Sequence, residues 1–263
     1  MFMKLICIFI CFFLAFASSA QNGASKRKKQ RVPSYFGLQV RPIFPTRFIG
    51  ESSLTLEEND ENKLYFSSTV SQRIGYSFGA TVRAGLGKFI ALETGINFTQ
   101  RNFDITYEIP DSSIYGSNDL TFISYDIPIN ALFYIRLAEK WYMNASLGVN
   151  MNFKPTHVKV YDNPKIYHHM DHSGYVVNKF AFGMNANVGF EFRTEKIGFF
   201  YLGGSANVPF SPIFDMVVDY RYQGYHSQEV AGMDGSFLSI DFKYFFPNIR
   251  NKGVQFQQGP INQ

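Results

Sequence analysis

The sequence is poor in cysteine, tryptophan and charge. Its 263 residues include two cysteines, one tryptophan and only 17% charged side chains. Cys7 and Cys11 both lie in the apolar N-terminal stretch. Once that stretch is cleaved, the chain has no disulfide framework and no thiol nucleophile. The charged fraction falls well below the roughly 25% of a soluble domain, so much of the surface need not face water. Long apolar runs are missing too. A polytopic helical membrane protein needs several segments of about 20 apolar residues, and a mean hydropathy of −0.11 excludes it. Positive charge is also scarce: a formal net charge of +4 is too small to argue for nucleic acid. What is abundant is aromatic, with 29 Phe and 16 Tyr. That excludes intrinsic disorder, which goes with few aromatic residues.

The first 20 residues read MFMKLICIFICFFLAFASSA. Lys4 supplies a positive start, Leu5 to Phe16 an apolar core, and Ser18-Ser19-Ala20 a small-residue cleavage site, which predicts a signal peptide over 1–20. The competing reading is a retained transmembrane anchor. Ile8-Phe9-Ile10 lacks the small residues that precede a lipidated cysteine, which argues against a lipoprotein at Cys11. Residues 21–33 form a basic leader with Lys26, Arg27, Lys28, Lys29 and Arg31, expected in the periplasm, either beside anionic headgroups or as a solvated segment. Each such charge contributes about 1 kcal/mol near an anionic surface.

Beyond the leader, apolar and polar residues alternate with a period of two, the strand signature. Ile74, Tyr76, Phe78, Ala80 and Val82 share one parity, against Gly75, Ser77, Gly79, Thr81 and Arg83. Comparable runs cover Phe36–Arg41, Phe89–Glu108, Leu120–Leu137, Trp141–Phe153, Val176–Arg193, Gly198–Phe210 and Phe237–Phe246, making eight. Short connections at 85–88, 138–140 and 194–196 alternate with long ones near 44–73, 109–119, 155–175 and 211–233. An even-stranded meander with short turns at one end and long loops at the other is the pattern of a membrane barrel. The expected fold is all-β: an eight-stranded antiparallel up-and-down transmembrane β-barrel over residues 34–247, with both termini periplasmic and a polar tail at 248–263.

Polarity separates this from a soluble barrel. Phe180, Phe182, Met184, Val188 and Phe190 oppose Ala181, Gly183, Asn185, Asn187, Gly189 and Glu191. Large apolar residues against small polar ones favour an inverted arrangement, so Phe78, Leu92, Ile129, Leu147, Val188, Leu202 and Ile240 are expected to face lipid. A soluble secreted lipocalin-like barrel could share the alternation and stays open as the alternative. Trp141, Tyr142, Phe153, Phe199, Phe200, Tyr201, Phe245 and Phe246 gather near the strand ends, as in an aromatic girdle. The 20 residues of Phe89–Glu108 exceed the roughly 10 a strand needs to cross, so this hairpin should project beyond the bilayer.

Three segments carry a family likeness: Tyr35-Phe36-Gly37-Leu38-Gln39, the hairpin from Gly85 to Gly95, and Tyr125-Asp126-Ile127-Pro128. In these, over about residues 34–247, the chain resembles the small outer-membrane β-barrels of the Bacteroidota, often termed PorT-like. The resemblance implies a cell-envelope barrel, some of whose members assist type IX secretion. Phe246 is not the last residue, a departure from the proteobacterial pattern.

Candidate chemistry is sparse. The inward parity carries Arg83, Glu93, Arg101, Asp126, Arg136, Glu191, Arg193, Asp241 and Lys243. A narrow barrel fills its lumen with side chains, so Glu93, Asp126, Glu191 and Asp241 are expected to pair with Arg83, Arg136, Arg193 or Lys243 and to leave no channel. His168, His169 and His172 form the one dense histidine cluster. Imidazoles bind zinc, copper or nickel, but the cluster lacks a His-Glu-x-x-His spacing and is placed in a long solvated loop. A lipid-modifying enzyme would need a rim Ser or His with an orienting partner; Ser205, Ser239 and His226 are available, without a Gly-x-Ser-x-Gly elbow. Glu57-Glu58-Asn59-Asp60-Glu61 reads as a solvated loop tip that could meet lipopolysaccharide through cations. The expectation is a non-enzymatic barrel, without cofactor, metal or nucleic-acid partner. It would contact outer-membrane lipid and lipopolysaccharide and meet a protein partner at its extracellular loops or rim.

Overall fold

The structure is a computed structural model that describes residues 34–46, 50–60, 63–87, 89–155, 157–165, 167–194 and 196–247. The signal peptide, the basic leader and the C-terminal tail lie outside the described residues, as does Glu61. Among the described residues are fourteen strands: β1 (Ser34–Pro45), β2 (Ser53–Asp60), β3 (Lys63–Gln72), β4 (Gly75–Gly85), β5 (Ile90–Ile109), β6 (Ile114–Arg136) and β7 (Trp141–Phe153), followed by β8 (Val158–Lys165), β9 (His168–Tyr175), β10 (Phe180–Arg193), β11 (Phe199–Pro209), β12 (Phe214–Tyr222), β13 (Tyr225–Met233) and β14 (Phe237–Phe245).

Eight of these close a ring, in the order β5-β4-β1-β14-β11-β10-β7-β6 with β6 returning to β5. Every neighbouring pair is antiparallel, so the ring is an up-and-down barrel. Closure pairs each inner edge strand and leaves no open edge in the wall. Each strand of the ring corresponds to one alternating run of the sequence.

The four long connections are not loops. They supply β2–β3, the short 3-10 turn Pro110–Ser112 with the first residues of β6, β8–β9 and β12–β13. Strand β3 adds to β5 through Ser67↔Glu108 to Gln72↔Phe103. A separate sheet runs β13-β12-β9-β8. Strand β13 lies against β2 and β8 against β6, so the two sheets face one another as a two-layer head. Gln223 (φ 45°) and Gly224 (φ 87°) occupy the two central turn positions between β12 and β13. Left-handed backbone at both is what a two-residue hairpin turn demands.

The interior changes character along single strands. On β5 the inward residues run Glu93, Asn97, Thr99 and Arg101, then Phe103, Ile105 and Tyr107, all buried. The outward residues run Leu92, Ile96 and Phe98, then Gln100, Asn102 and Asp104. Strand β6 repeats the inversion, with Asp126 and Ser124 giving way inward to Phe122 and Leu120. Below this level the barrel is apolar outside and polar inside. Above it the head has an apolar core, where Phe214 packs edge-on against Phe103 (5.3 Å) and obliquely against Phe122 (5.4 Å).

Candidate functional site

The outer wall fixes where the bilayer ends. Phe78, Leu92, Ile129, Leu147, Val188, Leu202 and Ile240 are all exposed on it. At the head side, the rings of Tyr76, Phe98, Tyr125, Phe153 and Phe180 follow one another around the wall at centroid separations of 5.1–6.4 Å. At the terminal side, Trp141 packs on Phe192 (4.9 Å), and Phe200, Tyr244 and Phe246 form a second run. On β5 the stretch from Ile90 to Phe98 joins the two levels, close to the 9–11 residues of a tilted crossing. Only half of the aromatics expected in these girdles point outward. Tyr142, Phe199, Tyr201 and Phe245 are buried, because adjacent residues on a strand face opposite ways.

Those inward rings pack around an ion network at the terminal end of the lumen. Arg83 on β4 donates to Glu93 at 2.6 Å and to Glu191 at 2.5 Å. Lys243 on β14 donates to the other oxygen of Glu93 at 2.6 Å, and Arg193 to the other oxygen of Glu191 at 2.5 Å. The Arg83 guanidinium lies 4.2 Å from the Phe245 ring centroid and that of Arg193 4.1 Å from Tyr142. Charges this deep persist only when paired and hydrogen-bonded. The network ties β4, β5, β10 and β14 together across the lumen.

Asp126, Asp241 and Arg136 do not join it. Asp126 accepts from Thr99 (2.6 Å), Ser124 (3.1 Å) and Asn152 (2.6 Å). Asp241 accepts from Asn187 (2.7 Å), Ser239 (2.7 Å) and Ser205 (3.1 Å). Hydroxyls and amides on the same and nearby strands therefore take the place of the expected cations. Arg136 ends β6 at the rim, where no lumen remains to receive it; it is exposed and donates to the Ala138 carbonyl. Arg101, fully buried at the inversion level, donates to the Gly235 carbonyl at 2.8 Å and covers the Phe237 ring. A side chain at Gly235 would strike it, since a Cβ there would sit 2.2 Å from the guanidinium.

The histidine cluster lies in β9, not in a solvated loop. The period of two puts His168 and His172 on the buried face and His169 on the exposed one. His168 contacts the Tyr220 hydroxyl at 3.0 Å and stacks on Tyr222 at 4.1 Å. His172 sits 2.9 Å from the Ser68 hydroxyl. The three rings do not converge, and among the described residues no group of three His, Cys, Asp or Glu is placed to hold a metal. The Ser68–His172 pair was not anticipated from the sequence. Its signal was the shared parity of His172 with Met170, which marks both as core. Ser68 and His172 are each fully buried in the head.

Ser205 and Ser239 meet each other at 2.6 Å and share Asp241. His226 is far from them in the fold, on β13 of the head, 3.0 Å from Asp219. Burial pushes the Asp219 carboxyl up, but hydrogen bonds from Arg221 and His226 outweigh it and hold the group below its usual range. Glu57, expected at a loop tip, stands in β2 and accepts from Ser67 at 3.1 Å.

An apolar, aromatic-girdled wall around a cross-linked polar lumen defines an outer-membrane β-barrel. The chain belongs to the outer membrane protein beta-barrel domain family, whose model matches residues 20–215. Among solved structures it is similar to the outer membrane protein OprG from Pseudomonas aeruginosa, at 10% identity and a TM-score of 0.49, over 82% of this chain and 96% of that one. No curated protein matches the sequence.

Proposed function

We propose that this barrel is a non-enzymatic anchor that presents its head to a protein partner at the cell surface. One observation carries the reading: the connections build a two-sheet head with its own apolar core, while the lumen below is cross-linked by ion pairs. A rigid head gives a partner a preorganised surface at low entropic cost. Its outer sheet face offers Tyr161, Tyr175 and Arg221, residue types enriched at binding hot spots, in exposed positions. Cleavage after Ala20 and passage through the periplasm would leave both termini there and the head outside, among lipopolysaccharide. The Bacteroidota PorT-like resemblance is compatible with assistance to secretion or envelope integrity through the same surface.

Cross-linking in intact cells from a cysteine at Gln228, followed by identification of the adduct, tests the partner. A membrane-impermeant maleimide on the same variant tests the orientation. Recovery of a defined protein adduct and labelling of whole cells are expected. A lipid A profile altered by deletion and restored by the wild type, with no adduct, would instead support a lipid-modifying enzyme.

A further inference from the structure

The outer wall carries a depression at its terminal end, with a volume of about 580 Å³. That is within the roughly 300–1,000 Å³ of small-molecule sites. It crosses β7, β10, β11, β14 and β1, and its lining is almost wholly apolar, with Trp141, Phe192, Phe200, Leu202, Phe242 and Leu38 prominent. Cross-strand register explains the shape. Phe192 stands beside both Trp141 and Phe200, and Leu202 beside Phe242. Trp141, Phe192, Phe200 and Tyr244 form one aromatic bank across β7, β10, β11 and β14, with Trp141 4.9 Å from Phe192 and Phe200 5.1 Å from Tyr244. The Tyr244 hydroxyl is pinned to the Ile197 carbonyl at 2.6 Å. The smaller Leu202 lies one step further along the wall, between Phe190 and Phe242.

The polar border of this depression is basic. Lys140 immediately precedes Trp141, and its carbonyl accepts from the Arg193 amide at 2.9 Å. That bond joins the β6–β7 turn to the β10–β11 turn, which carries Lys196. Both lysines are exposed, and neither forms an ion pair among the described residues. Arg136 stands on the same rim; in sequence Glu139 precedes Lys140 and Glu195 precedes Lys196.

We propose that this depression and its lysines form a binding site for one anionic diacyl phospholipid, with an acyl chain across Leu202 and the phosphate against Lys140 and Lys196. Basic sites at the membrane boundary select anionic headgroups in this way. A fixed aromatic bank gives one chain more contact than a smooth wall gives the surrounding lipid. The choice of phospholipid over lipid A rests on the terminal end facing the periplasmic leaflet. Maleimide labelling of the head checks that orientation separately.

Native mass spectrometry of the full chain in detergent, titrated with phosphatidylglycerol, phosphatidylethanolamine or lipid A, tests the site. A one-to-one phosphatidylglycerol complex is expected. Replacing Lys140→Gln and Lys196→Gln together should weaken it roughly 25-fold, about fivefold per lysine at a membrane surface. Leu202→Trp fills the niche with another apolar residue and should weaken both phospholipids, while heat-modifiable migration on gels shows that the barrel still folds. Equal retention of phosphatidylethanolamine, a preference for lipid A, or binding unchanged in both variants would overturn the proposal.

Discussion

Arg83 on β4 and Glu191 on β10 meet at 2.5 Å although their strands stand diametrically opposite in the eight-strand ring. The contact spans the lumen and braces it. Glu191 is fully buried and Arg83 nearly so, so removing one partner leaves the other charge stranded. Glu191→Leu strips Arg193 of its carboxylate and Arg83 of one of its two. It should cost about 3–5 kcal/mol, the usual penalty for breaking a buried pair. The urea midpoint for loss of heat-modifiable migration should drop accordingly, and wild-type protein in planar bilayers should show no steady open channel.

A charge on the outer wall acts through a different mechanism. Val188 is exposed to lipid midway along β10, whereas its neighbour Asn187 points inward and donates to Asp241. Val188→Arg should destabilise the folded barrel in vesicles by about 2–4 kcal/mol, as for a cation at the bilayer midplane. Val188→Leu should be close to neutral. Equal urea midpoints for the Arg and Leu variants in lipid vesicles would contradict the assignment of this face to lipid.

The ring was legible because each of its strands keeps one parity apolar for its whole crossing. The head was not. Its strands are eight to ten residues long, and β2 and β3 are rich in Ser, Thr, Glu and Asn, so Leu54, Leu56, Phe66 and Val70 read as scattered apolar residues in a polar loop. They become a core only when β12 and β9 arrive from over 100 residues away. The lumen was half legible. Parity identified Arg83, Glu93, Glu191, Arg193 and Lys243 as inward, but not that Asp126 and Asp241 would be satisfied by hydroxyls and amides. That depends on cross-strand register, which alternation alone does not fix. Arg136 was misplaced for a related reason, since parity does not say where the barrel ends.

Head and barrel have separate interiors, so they should respond separately to a core deletion. Phe214 is buried against Phe103 and Phe122 in the head. Phe214→Ala should cost about 3–5 kcal/mol locally, as for other large aromatic truncations. Hydrogen exchange should speed up in β9, β12 and β13, while β7, β10, β11 and β14 keep their protection. Uniform loss of protection through the barrel would show that the two interiors unfold as one.

Lys154 gives the head–barrel junction a pH dependence. It follows the last residue of β7, beyond the girdle, with its ammonium 3.0 Å from the Pro212 carbonyl. Burial and the nearby Arg101 guanidinium push it down from an ordinary 10.5 to about 8, against the pull of Asp215. Below pH 8 folded and unfolded chains both carry the proton, and the folded state bears the full cost of the buried charge. Between about 8 and 10.5 the unfolded chain binds more protons than the folded one, so stability rises with pH across that window. Above it the contribution is flat. The thermal midpoint for loss of heat-modifiable migration should therefore increase from pH 8 to pH 10 more in the wild type than in Lys154→Met. The difference between the two proteins isolates this one group, because the tyrosines and other lysines titrate in both. Parallel pH profiles for wild type and variant would show that Lys154 does not carry its proton into a buried site.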